Sequence, residues 1–357
     1  MAPHRAAPKP KEKTKAAKAY KQPTQRSIRE REYKIQQKSA TAIPLEVQQL
    51  LLNIFKNSFS ERFASDINPL LQEVKGHLYN REFETAFGKE EYLEAYAARW
   101  SPSRALGYLQ VFESLVEELQ PFTKRDEGAE DSRWNVVCLG GGAGAEIVAL
   151  GGFLKRLDTT VGEELTRKIS VASIDVAAWE NVIEKLQHQI VSKPPLSKYA
   201  SAAAQAANPA LLEPACLDVS SHQLDILNAP FSAFAPLLQN TNLVTLMFTL
   251  NELYATSLSL TQQFLRNLAS SLQPGAFLLV VDSPGSYSTV TLGGSEKKYP
   301  MQWLLDHTLL REDRGVELQW EKVKEDESRW FRLDEELKYP IELEDMRFQL
   351  HLYRRLG

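Results

Sequence analysis

The sequence predicts an α/β fold: an open, mostly parallel sheet, preceded by a helical section and, before that, a basic arm. Three observations carry this. From about residue 134, short apolar runs alternate with helical patterns, which marks a parallel sheet. The first of those runs breaks into glycines and then turns helical, in "WNVVCLGGGAGAE" (134–146). Ahead of it, residues 43–120 show helical spacing and no strand signal.

The arm comes first. Residues 1–40 hold 12 Lys and Arg against 3 Glu, a net +9, whereas the rest of the chain holds 30 against 43, a net −13. The stretch "KPKEKTKAAKAYKQPTQRSIRER" has almost no large aliphatics and cannot bury a core, so a disordered arm is expected. It reads either as a solubilising tail or as an arm that contacts RNA or an import receptor. Ordered structure is expected from Ile43. In "PLEVQQLLLNIFKNSF", Leu45, Leu51, Ile54, Phe55 and Phe59 fall near helical spacing, and "KEEYLEAYAARW" extends the pattern to Trp100. Ser101 and Pro102 then suit an N-cap and a first helical residue, predicting that one helix stops and another starts there. The domain division is therefore 1–40, a helical section 41–125, and an α/β domain 126–357.

In that domain the strand "WNVVCL" leads through the glycine turn to helix "AEIVALGGFLKRL". "KISVASIDV" leads to helix "AAWENVIEKLQHQI", and a Pro-, Ser- and Ala-rich loop covers roughly 192–214. A strand around "SSHQLDIL", then "NLVTLMFTL", helix "SLTQQFLRNLASSL" and strand "PGAFLLVVDS" follow. "SRWFRLD" and "MRFQLHLYRRL" would close the sheet as an antiparallel pair. Five strand–helix steps and a terminal hairpin outline a Rossmann-like class I methyltransferase that uses S-adenosyl-L-methionine (SAM). A dehydrogenase would more often add a separate substrate domain.

Composition excludes several classes. The 357 residues contain no apolar run near the roughly 20 residues a membrane helix needs. The N-terminus has no apolar signal-peptide core. Two cysteines, Cys138 and Cys216, are too few for a disulfide framework or a zinc site, and a reducing compartment is expected.

The glycine turn admits two cofactors. Gly140, Gly142 and Gly144, with Gly141 between them, form the first motif of SAM methyltransferases; Gly140, Gly142 and Ala145 form a dinucleotide fingerprint. Either way the backbone amides face a ligand at a helix N-terminus. Asp175, ending "ASIDV", suits both ribose hydroxyls. Asp225 in "HQLDIL" is favoured over Asp218 as acceptor for the adenine amino group. In "LMFTLNELY", Thr249, Asn251 and Glu252 stand at the carboxyl edge and, with Asp282 of "FLLVVDS", make a polar rim around the transfer centre. The plain alternative is a helix capped by Asn251. Strand order and this rim favour SAM.

The segments "IPLEVQQLLLNIF", "AYAARWSPSRALGY", "VVCLGGGAGAE", "SIDVAAW", "MFTLNELY" and "YPMQWLLDH" resemble the fungal family of large-subunit (25S) rRNA uridine-N3 methyltransferases, over roughly residues 40–356. The resemblance implies a SAM-dependent enzyme acting on N3 of a uridine in ribosomal RNA or a pre-ribosomal particle. It implies a nuclear or nucleolar setting, with the cytoplasm as alternative; a monomer without a membrane partner is expected. The general class I pattern has an acid two residues before the first glycine. Here Cys138 stands there, and Glu146 in the next helical turn is the candidate to replace it at the charged end of SAM.

N3 of uracil carries a proton, so a general base is expected, with Glu252 and Asp282 as candidates. The chain lacks an Asn-Pro-Pro-aromatic motif and a Pro-Cys motif, consistent with a ring-nitrogen target. The target base must be unpaired or flipped out. Trp100, Tyr108, Tyr254 and Tyr287 are candidates to stack on it, with core packing as the alternative for each. Arg99 and Arg104 flank the Ser101-Pro102 corner and are expected to pin the helices to the sheet through carboxylates; the cofactor's carboxylate and an RNA phosphate are the other partners considered. Competing readings are a SAM methyltransferase for a small molecule or protein, and a ribosome-assembly scaffold that keeps the fold.

Overall fold

The computed structural model describes residues 43–123, 133–161, 167–196, 208–285, 287–292, 295–310 and 319–357, with 198, 199, 201 and 205 between them. The basic arm lies outside the described residues. Helices α1 (Leu45–Ser58), α2 (Asn68–Tyr79), α3 (Phe83–Ala86), α4 (Glu90–Ser114) and α5 (Val116–Thr123) come first. In α1 the apolar residues at helical spacing, Leu51, Leu52, Ile54 and Phe55, are the buried ones.

Then strands and helices alternate: β1 (Arg133–Leu139), α6 (Ala145–Val161), β2 (Lys168–Asp175), α7 (Glu180–Val191), β3 (Leu217–Gln223), α8 (Ala235–Leu238), β4 (Leu243–Met247), α9 (Leu250–Thr256), α10 (Leu258–Ser271) and β5 (Phe277–Asp282). A small hairpin of β6 (Tyr287–Leu292) and β7 (Ser295–Pro300) precedes α11 (Met301–Leu309), β8 (Trp320–Phe331) and β9 (Met346–Arg355).

The main sheet has the order β3-β2-β1-β4-β5-β9-β8. The first five strands are parallel, and β9 runs against both β5 and β8. All residues of β4 and β5 are buried, as central parallel strands covered on both faces must be. Alternation along β9 sends Met346, Phe348, Leu350 and Leu352 into one core and Tyr353 into the other. The first core also takes α1, α4, α6 and α7, and the second takes α10 and α11. The helical section thus shares its core with the sheet.

Between β1 and β4 the strand order reverses, because β2 and β3 build outward on one side and β4 and β5 on the other. In open α/β sheets ligands bind at the carboxyl ends of the strands flanking such a reversal. The glycine turn after β1 and "FTLNEL" after β4 lie there.

Two sequence expectations need correction. The helix does not break at Ser101: α4 runs unbroken from Glu90 to Ser114 with Pro102 inside it. Proline has no N–H for the carbonyl four residues back, that of Ala98. The Tyr339 hydroxyl donates to that carbonyl at 2.8 Å, so the lost bond is replaced from another part of the fold. Ser101 does not cap; its hydroxyl donates to the Ala143 carbonyl in the glycine turn at 2.8 Å. The third strand also starts earlier than "SSHQLDIL" suggests and ends at Gln223.

Candidate functional site

The glycine turn is shaped by its neighbours. Gly140 has φ +75°, and a Cβ there would lie 2.3 Å from Thr249 Oγ1, so the turn and the end of β4 meet without room for a side chain. A Cβ on Gly142 would lie 1.9 Å from Cδ1 of the Trp179 indole. Asp175 stands at the end of β2, where its Oδ2 accepts from the Gly142 N–H at 3.1 Å and its Oδ1 from the Ala177 N–H at 3.1 Å. The Trp179 indole N–H favours the charged form of Asp175 but makes no well-aligned hydrogen bond. Burial outweighs these donors and raises the Asp175 pKa.

An aromatic cluster borders this turn. Phe87 and Tyr96 pack on Trp179 with ring centroids 5.5 and 5.8 Å away, and Tyr96 packs on Trp100 at 4.9 Å. Tyr108 and Tyr254 are core residues, 1% and 3% exposed, so neither stacks on a substrate base in this arrangement. Tyr287 lies on β6, its side chain outside the described residues.

Glu146, in the first turn of α6, is 3% exposed, and its Oε1 has no hydrogen-bond partner among the described residues. Burial pushes its pKa up to about 7; its own backbone N–H and Arg104 favour the charge, and Asp175 opposes it. Cys138 is fully buried beside it, and burial holds the thiol well above its ordinary value. A Cβ on Gly141 would lie 2.7 Å from the Cβ of Cys138, which shows how closely the turn folds back on β1.

Arg104 and Arg99 part company. Arg99 pairs with Glu344 at 2.6 Å, the pinning role expected for both. Arg104 has no carboxylate partner among the described residues. It donates to the Tyr96 hydroxyl at 2.8 Å, and its guanidinium lies 5.3 Å from the centre of the Phe248 ring. Burial works against its charge, but Tyr96, Tyr108 and Glu146 more than offset that and raise its pKa.

Phe248, the first residue after β4, has φ +58°, a strained value for a residue with a Cβ. Its N–H donates to the Val281 carbonyl at 2.7 Å, which helps hold the turn. Asp282, 3% exposed at the end of β5, accepts from the Asn251 N–H at 3.0 Å and the Ser283 N–H at 2.7 Å. Burial raises its pKa to about 6 against those two donors, with Glu252 raising it further and Arg104 lowering it. Asn251 therefore does not cap α9; it sits in the first turn, and Asp282 supplies the acceptor. Glu252 is half-exposed and pairs with Arg81 at 2.7 Å, on the outer side of the rim.

Asp218 is the second residue of β3, at the opposite edge of the sheet, where it pairs with Arg133 at 3.2 Å. That removes it as an adenine contact. Asp225 lies past the strand in the following turn, where it accepts from the N–H groups of Leu227 and Asn228 at 2.9 and 3.2 Å and from the Asn228 side chain at 2.8 Å. It is at the correct edge but already organises its own turn. A cleft of about 460 Å³ lined by Ser58, Phe59, Glu94, Lys185 and His188, among others, shares no residue with the glycine turn.

The residues present fit SAM. The buried Glu146 oxygen, unpartnered among the described residues, suits an ammonium, and Arg104, which bonds to the Tyr96 hydroxyl and to no carboxylate among those residues, suits a carboxylate. Fold and site together define an α/β methyltransferase of the SAM-dependent class. A family model described as "Putative SAM-dependent methyltransferase" matches residues 55–354, and the chain belongs to that family. A curated relative, the 25S rRNA (uridine(2843)-N(3))-methyltransferase of Saccharomyces cerevisiae, is 35% identical over 328 residues, 85% of this chain and 85% of the relative. Among solved structures, the N-methyltransferase NodS of Bradyrhizobium japonicum in complex with S-adenosyl-L-homocysteine matches with a TM-score of 0.36 and 12% identity. The match covers 75% of this chain and 98% of that one. A SAM-dependent methyltransferase of Methanosarcina mazei matches with a TM-score of 0.34 and 10% identity, over 62% and 92%.

Proposed function

We propose that this methyltransferase modifies N3 of a uridine in large-subunit ribosomal RNA. The observation that carries the substrate is the 35% identity over 85% of the chain to the yeast 25S rRNA uridine-N3 enzyme. The cofactor-side residues are Gly140, Gly141, Gly142 and Gly144 at the turn, Asp175 for the ribose, Thr249 against Gly140, Glu146 at the charged end, and Asp225 toward the adenine. When bound, SAM supplies an electrophilic methyl group on a sulfonium.

Asp282 is the general base. It is buried at the carboxyl edge of β5, and a pKa of about 6 leaves it largely ionised yet still basic near neutral pH. It accepts the N3 proton as the N3–CH3 bond forms and the sulfonium C–S bond breaks, leaving a neutral thioether. Glu252 is the weaker candidate, since Arg81 already holds it at the surface. Asn251 and Asp282 together fix the start of α9 beside the strained Phe248, which positions the target ring rather than activating it. The target uridine has to leave any base pair, because N3 lies on the Watson–Crick edge.

On this reading the chain is a basic arm (1–40), then a helical section (41–125) and a methyltransferase domain (126–357) that share one core. The arm is the RNA-contacting segment, and the setting is the nucleus or nucleolus, where pre-ribosomal particles are built. The test is to delete the gene in its host and map modified nucleosides of the ribosomal RNA by mass spectrometry. One N3-methyluridine should disappear from the large-subunit RNA; survival of all of them sinks the substrate assignment.

A further inference from the structure

Two charged side chains near the glycine turn lack the ionic partners that buried charges normally have. Glu146 has a buried Oε1 with no hydrogen-bond partner among the described residues. Arg104 is half-buried among aromatic rings and, among the described residues, bonds to the Tyr96 hydroxyl and to no carboxylate. A guanidinium has five N–H donors in a fixed fork suited to a carboxylate. The two residues influence each other's charge yet form no ion pair. A zwitterion placed between them satisfies both.

We infer that Arg104 and Glu146 grip the amino-acid end of SAM as a pair, Arg104 binding its carboxylate and Glu146 its ammonium. This rests on the SAM part of the reading above and not on the RNA substrate. Arg104 comes from α4, so the helical section supplies a cofactor ligand instead of only covering the sheet. The local geometry gives α4 the means to do so. Ser101 is bonded to the Ala143 carbonyl at 2.8 Å, which ties the helix to the glycine turn one helical turn before Arg104. On the other side, Cys138 is a neutral buried thiol where a carboxylate would serve the ammonium, and Glu146 restores that charge from α6.

The groups that face Glu146 are Arg104 and Tyr108 on α4, Asp175 on β2 and Cys138 on β1. Of these, Arg104 alone favours its ionised form. An incoming ammonium adds a second cation, so ligand binding below about pH 7 releases a proton from Glu146.

The test uses the full chain and calorimetry with three ligands. S-adenosylhomocysteine carries both charged groups, its decarboxylated analogue only the amine, and 5′-methylthioadenosine neither. Arg104→Gln keeps a donor for Tyr96. It should weaken S-adenosylhomocysteine about tenfold or more while leaving the decarboxylated analogue within about twofold of wild type. Arg104→Lys, which keeps the charge but not the fork, should recover only part of that affinity. Glu146→Gln should weaken both amine-bearing ligands and spare methylthioadenosine. At pH 6.5 the wild-type binding enthalpy of S-adenosylhomocysteine should vary with the ionisation enthalpy of the buffer, and that of Glu146→Gln should not. Equal weakening of all three ligands by Arg104→Gln, or no weakening, overturns the pairing. A wild-type chain that fails to bind S-adenosylhomocysteine overturns both the pairing and the SAM site. If the three-ligand pattern holds while every N3-methyluridine survives gene deletion, the substrate fails and the pairing stands.

Discussion

Glu146 and Asp282 are buried carboxyls with raised pKa values, about 7 and about 6. Each binds its proton more tightly in the folded chain than in the unfolded one. Such a group stabilises the fold below its unfolded pKa and loses that contribution as pH rises through the folded value. At pH 8 the ligand-free protein therefore carries a penalty at Glu146, on the order of 3 kcal/mol before relaxation. Glu146→Gln should raise the melting temperature of the ligand-free protein at pH 8, and the gain should shrink as pH falls through about 7 and vanish below about 4.5. A lower melting temperature at pH 8 would contradict the unpartnered state of this carboxylate. Asp282→Asn should cut kcat by about 10²-fold or more while sparing S-adenosylhomocysteine binding. The wild-type rate should rise with pH around 6, and the variant should lose that dependence. At this scale the sequence was informative where chemistry follows from position. Asp175, Asp282 and Glu146 stand at a strand end or a first helical turn, and their places could be read directly. The lack of a carboxylate partner for Arg104 among the described residues and the positive φ of Phe248 depend on what other segments bring near them, and no local pattern encodes that.

Among the elements, α4 shows most clearly how tertiary contacts override a local signal. Ser-Pro is a sound helix-start pair, yet the helix continues because Tyr339, 237 residues beyond Pro102, takes the carbonyl that proline leaves free. Tyr339→Phe should cost about 1 kcal/mol, the loss of one buried hydrogen bond, read as a drop in urea midpoint. An unchanged midpoint would mean that the proline tolerates its open carbonyl unaided. The strands of the parallel sheet were legible because their apolar runs are bounded by turn residues. The third strand was displaced because Asp225 and Asn228 close a turn just beyond Gln223, and "QLDIL" reads as strand although its aspartate is a turn residue. The hairpin β6–β7 is polar and short, without the apolar alternation that signals a strand.

For the whole molecule, strand order was the decisive feature. The reversal between β1 and β4 brings the glycine turn and "FTLNEL" to one edge, although about 100 residues separate them in the chain. The chain also divides its charge, with +9 in residues 1–40 against −13 in the remainder. Under the proposed function, the acidic body disfavours phosphate contact and the arm is the proposed source of RNA affinity. Removal of residues 1–40 should weaken RNA binding and flatten its dependence on salt, with S-adenosylhomocysteine binding intact; a steep salt slope in the truncated protein would place the phosphate contacts in the body. The most direct test of the whole account is methyl transfer by the purified chain. Large-subunit ribosomal RNA from the deletion strain would be incubated with SAM carrying a trideuterated methyl group, digested, and its nucleosides resolved by mass spectrometry. The account predicts trideuterated N3-methyluridine at a single position. Label on another base or another atom, or no label at all, would contradict it.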